Sequence, residues 1–78
     1  MTAKDFFEEL MQRPLETIQQ NFKDQYPDIN VASEVKFSTK GKTVLVETPE
    51  TYPKPVIREI ARQIRQRAKF VNFEIEAM

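Results

Sequence analysis

Residues 29–48, INVASEVKFSTKGKTVLVET, decide the fold. Ile29, Val31, Val35 and Phe37 share one parity; Ala32, Glu34 and Lys36 share the other. Period two is the mark of a strand with one buried and one wet face. Ser38-Thr39-Lys40-Gly41 reads as a turn. Gly41 is the single glycine of the chain and so the candidate for positive φ. The uninterrupted Val44-Leu45-Val46 within Thr43–Thr48 predicts a second strand buried on both faces. The two strands form an antiparallel hairpin.

Upstream, the period is helical. Thr2 is placed to cap a first helix, with Asp5 as a weak capping-box partner. Phe6, Phe7, Leu10 and Met11 share its apolar face. Pro14 interrupts the pattern and suits the first turn of a second helix, whose apolar positions are Leu15, Ile18 and Phe22. Tyr26-Pro27 closes that segment. Downstream, Pro49, Pro53 and Pro55 stiffen a connector. A third helix is expected from about Pro55 to Lys69, with Ile57, Ile60, Ala61, Ile64 and Ala68 as its core stripe. Val71, Phe73 and Ile75 then alternate with Asn72, Glu74 and Glu76 as a last strand.

The expected fold is therefore α+β in the order α-α-β-β-α-β, within one compact domain spanning residues 1–78. A six-residue second strand covers about 20 Å, and the returning third helix about 22 Å. The last strand then starts beside the hairpin tip. It runs parallel to the second strand and antiparallel to the first, through a right-handed crossover. Strand orders 2-1-3 and 1-2-3 both satisfy these constraints.

Charge is balanced overall and segregated along the chain. Residues 1–35 carry three basic and seven acidic side chains, residues 36–69 nine and three, and residues 70–78 none and two. On the third helix Arg58, Arg62, Arg65 and Lys69 line one flank of the apolar stripe. The direction argument brings Arg65, Arg67 and Lys69 to the pole that holds Lys40 and Lys42. Two readings compete for this basic pole. Functionally, it is an anion- or partner-binding surface, because guanidinium groups grip phosphates and carboxylates bidentately. Structurally, cations complement a helix C-terminus, and their long stems cover apolar surface. The acidic N-terminal segment also offers counter-charges. Of the aromatics, Phe37 and Phe70 have core-like spacing, and Tyr52 in the connector is the one expected to be exposed.

Catalytic chemistry has few carriers. The chain has no histidine and no cysteine, which removes the usual general base, thiolate nucleophile and transition-metal ligands. One glycine excludes phosphate-cradling loops. Glu8 and Glu9 point about 100° apart on a helix and cannot pair. Asp24, Asp28 and Asn30 lack the glycine and terminal glutamate of a calcium loop. Ser33, Ser38, Thr39 and Thr43 have no activating base. The glycine-free junction Gln12-Arg13-Pro14 and a second helix with Lys23 as its basic side chain argue against a helix-turn-helix.

No enzyme, no metal and no cofactor is expected. The N-terminus is no signal peptide, and no stretch approaches a membrane helix. A cytoplasmic setting is expected. The leading expectation is a small non-catalytic protein-interaction or regulatory module that binds another protein. The alternative is a sequence-tolerant nucleic-acid-binding domain. Both would use Arg58, Arg62, Arg65, Arg67, Lys69, Lys40 and Lys42. Open sheet edges leave room for a homodimer.

Overall fold

The structure, a computed structural model, describes residues 3–77. Its elements are α1 (Ala3–Phe22), α2 (Val31–Glu34), β1 (Lys36–Lys40), β2 (Thr43–Thr48), α3 (Lys54–Arg67) and β3 (Phe73–Ala77). The order α-α-β-β-α-β holds, and so does the mixed sheet. β1 is antiparallel to β2 and β3 is parallel to it. The strand order is β1-β2-β3, so β2 is central. The Thr2 cap lies outside the described residues.

The two helices expected on either side of Pro14 are one. α1 runs through Pro14, which is buried. A proline inside a helix costs about 3 kcal/mol, through a lost N–H and a clash with the preceding turn. Continuity stacks Phe7, Met11, Leu15 and Ile18 on one face, each at most 4% exposed. Burial is worth roughly 1.5–3 kcal/mol for each such side chain, so one continuous face outweighs the proline.

The second helix is instead the single turn α2, in residues read from the sequence as strand. The register explains the change. Lys36 faces Glu47, and β2 ends at Thr48 before Pro49. Residues 31–35 therefore have no facing strand, and their backbone groups must pair locally. The N–H groups of Ser33 and Glu34 donate to the Asn30 carbonyl at 3.1 and 2.9 Å, and Val35 N–H to Val31 at 3.2 Å. Glu34 Oε1 accepts the Asn30 N–H at 2.7 Å, satisfying the backbone donor at the start of the turn. Gln19 Oε1 of α1 accepts the Ala32 N–H at 3.1 Å. Val31 and Val35, four apart, share a helical face as readily as a strand face, and both are buried.

The hairpin turn also shifts. Lys40 faces Thr43, which leaves Gly41-Lys42 as a two-residue loop and adds Ser38–Lys40 to the first strand. Gly41 has φ +63°, and no non-glycine residue among those described has positive φ. Glycine in the first central position is the requirement of a type II′ turn.

Side chains of Phe37, Val44, Val46, Phe73 and Ile75 share the helix-covered face of the sheet by register. The first three are at most 3% exposed and join the core with α1 and α3. The other face carries Lys36, Ser38, Lys40, Leu45, Glu47, Glu74 and Glu76. Leu45 is only half-buried there, so β2 is covered on one face rather than two. Both helices lie on the same side, which leaves no second layer to cover Leu45.

α3 starts at Lys54 with Pro53 at its cap and Pro55 in its first turn, where the missing N–H costs nothing. Its core stripe is Val56, Ile60, Ala61, Ile64 and Ala68. Val56 is fully buried, whereas Ile57, expected in the stripe, packs only partly against the core. Arg58, Arg62 and Arg65 are exposed beside this stripe.

Candidate partner-binding pole

The α3–β3 turn meets the hairpin. The Val44 N–H at the start of β2 donates to the Asn72 carbonyl at 2.9 Å. That bond brings the C-terminal end of α3 to the hairpin end of the sheet. Arg65, Arg67 and Lys69 therefore share an end of the molecule with Lys40 and Lys42, and all five are exposed.

The rest of the arginine flank behaves differently. Arg58 sits in the first turns of α3, roughly 16 Å along the axis from Lys69, and does not belong to the pole. Arg62 forms an ion pair with Glu59 on its own helix, and Gln63 Nε2 donates to the same carboxylate at 3.0 Å. The Arg62 and Gln63 hydrogen bonds hold the Glu59 carboxyl below its ordinary range. The Glu59 carboxylate in turn raises Arg62. The Arg65 guanidinium lies 5.8 Å from the centre of the Phe73 ring, a cation–π contact between α3 and β3. Arg67 donates to Gln63 Oε1. Arg62, Arg65 and Arg67 thus each engage a neighbouring side chain, but the partners of Arg65 and Arg67 are neutral. Arg65, Arg67, Lys69, Lys40 and Lys42 carry the outward charge of the pole.

The aromatics reverse the expectation. Phe37 is buried as expected, in ring contact with Phe7 at 6.1 Å between centroids. Phe70, expected in the core, is 100% exposed, whereas Tyr52, expected outside, is 6% exposed. Phe70 borders an open groove shared by Phe6, Arg67, Ala68, Lys69 and Val71. Phe6, expected on the buried face of the first helix, is 50% exposed and meets Phe7 edge-on at 5.9 Å. Two exposed phenylalanine rings therefore stand among the cations of the pole.

Sequence signals for both rings exist. Phe70 is out of parity with Val71, Phe73 and Ile75, so the strand that buries its apolar side cannot bury Phe70. Phe6 and Phe7 are consecutive on a helix and point about 100° apart, so only one of them can face the core squarely.

At the opposite end, Tyr52 closes the connector. Its hydroxyl donates to Glu34 Oε1 at 3.0 Å, the oxygen that also accepts the Asn30 N–H. Burial, reinforced by this carboxylate, pushes the Tyr52 phenol above its ordinary value. Tyr52 is thus a tether between the connector and α2.

Among the described residues no group of three histidine, cysteine or carboxylate side chains is placed to hold a metal ion. No helix among them is long and apolar enough to cross a membrane. No protein-family model, no curated protein and no solved structure matches the chain.

Proposed function

We propose that this chain is a small non-catalytic interaction module that binds an acidic, partly apolar segment of another protein at the hairpin pole. The observation that carries the reading is the fully exposed Phe70 beside Arg67 and Lys69, on a groove that Phe6 completes. A phenylalanine held in water forgoes roughly 1.5–3 kcal/mol of burial. Aromatic and arginine side chains at the centre of an interface carry most of its energy. Arg67, Lys69, Lys40 and Lys42 favour a partner with carboxylates around its apolar anchor. The lack of histidine and cysteine supports a binding role over a catalytic one.

A second reading is favoured by the same juxtaposition. Exposed aromatic rings beside cations are what single-stranded nucleic acid uses for base stacking and phosphate contact. The open sheet face offers no such platform, since it carries no aromatic side chain and ends in Glu74 and Glu76.

One titration separates the two. A labelled peptide alternating Glu and Leu, and a mixed-sequence single-stranded oligonucleotide, are each titrated at about 50 and about 200 mM salt. The protein reading expects peptide binding that Phe70→Ala weakens by roughly thirtyfold and that Arg67→Glu also weakens. Oligonucleotide binding that is steep in salt and lost in the same variants selects the second reading. Binding of either probe unchanged in both variants removes the pole from either role, as does no binding at low salt. Arg62→Glu serves as the control on the same helix.

A further inference from the structure

The sheet has two edges, and they are finished differently. β1 shows Lys36 and Lys40 on its open face, the lysine-bearing edge that discourages pairing with other chains. β3, Phe73-Glu74-Ile75-Glu76-Ala77, has no lysine, proline or glycine. It has β2 on one side and no strand on the other among the described residues. Its helix-side residues Phe73 and Ile75 are only half-buried, although the β2 residues opposite them, Val44 and Val46, are buried. Beyond β3 an open groove runs under α3, lined by Ala61, Arg65, Val71, Phe73 and Ile75.

Register determines what a further strand would meet. On the helix side its residues would enter the groove against Phe73 and Ile75. On the open face they would stand opposite Glu74 and Glu76. Neither glutamate has a cation facing it from β2, since Glu74 faces Leu45 and Glu76 faces Glu47. Lys36 faces Glu47 from the far strand. A second copy pairing β3 with β3 about a two-fold axis at Ile75 would set Glu74 against Glu76 twice over. Like charges directly opposite one another destabilise a strand pair.

We infer that β3 is a docking edge for an extended segment of another protein in which lysine or arginine alternates with apolar residues. The segment adds a fourth strand. Its backbone pairs with β3, its apolar side chains fill the groove, and its cations face Glu74 and Glu76. This surface adjoins the hairpin pole at Arg65 and Val71, and its open face, carrying Glu74 and Glu76, is opposite to the pole in charge.

The probe is a short peptide alternating Val and Lys, read by affinity and by backbone amide exchange of the intact protein. It is expected to bind and to slow exchange at β3 amides that β2 leaves unpaired. The same peptide N-methylated at alternate residues is expected to lose binding. The double variant Glu74→Lys, Glu76→Lys is expected to bind it about tenfold more weakly and to gain affinity for a Val–Glu peptide. Binding indifferent to N-methylation overturns the inference, and so does a charge-swapped variant that keeps its preference. Exchange protection confined to other residues, or a β3-paired dimer in sedimentation, also overturns it.

Discussion

The two ends of this molecule each hold an aromatic residue that local sequence assigns to the wrong environment. At the connector end, Tyr52 lies among prolines and polar residues, yet it is buried and hydrogen-bonded to Glu34. At the hairpin end, Phe70 follows an apolar helix stripe and precedes an apolar strand, yet it is fully exposed. The difference lies in what the topology delivers to each end. α2 folds against the connector because residues 31–35 have no strand to pair with, and its Glu34 supplies the acceptor that makes a buried phenol tolerable. At the hairpin end, the short turn from Ala68 to Asn72 spends its apolar residues on the sheet parity of Val71 and Phe73. Nothing is left to cover Phe70. One end is closed by a tether, and the other is left open with cations around it.

The largest effect should come from breaking the closed end. Tyr52→Ala is expected to destabilise the fold by about 3 kcal/mol in chemical denaturation. Phe70→Ala is expected to change stability by no more than about 0.5 kcal/mol while weakening partner binding. Equal losses of stability would erase the contrast between the two ends. Next is Gly41→Ala at the open end. A Cβ there meets nothing within 4 Å, so its cost is purely the positive φ, about 1–2 kcal/mol. A smaller loss would mean that the hairpin tip rearranges freely.

Thr48 sits where β2 reaches the closed end. It is 2% exposed, and its hydroxyl has no hydrogen-bond partner among the described residues. Thr48→Val keeps the shape and removes the unsatisfied oxygen, so thermal unfolding should show a gain of about 1 kcal/mol. The subtlest test is alkaline. Because the folded-state phenol of Tyr52 lies above the ordinary value of 10.0, the unfolded chain releases its proton first. The unfolded state then binds fewer protons, and stability falls as pH rises beyond about 10. Urea titrations across that range should show the decline in the parent protein and a shallower one in Tyr52→Phe.

Much of the frame was readable from residue order. The apolar run within Thr43–Thr48, the single glycine, and the lengths of strand and helix led to a hairpin with a third strand parallel to the second. The same lengths placed Lys40 and Lys42 beside Arg65, Arg67 and Lys69. The readings that moved are those in which two periods fit the same residues. Val31 and Val35 satisfy both a strand and a helix, and only the absence of a facing strand chose between them. Pro14 marks a helix start by local preference, and the gain from stacking Met11 with Leu15 and Ile18 overrides it. Within the arginine flank, spacing alone could not separate Arg62, whose charge is paired with Glu59, from Arg65 and Arg67, whose partners Phe73 and Gln63 are neutral.

The sequence by itself therefore determined the order of the elements from the hairpin onward, the hairpin, the direction of β3 and the sign of charge at the pole. These follow from periodicity, chain length and composition, which are local or additive properties. Only the tertiary structure decided which aromatic is wet, which arginines are engaged and which sheet edge lies bare. Those outcomes depend on whether a second element arrives to cover a side chain or pair a backbone group. Phe70 is left uncovered because it falls out of parity in the short turn before β3, and the β3 edge lies bare because no further strand among the described residues pairs with it.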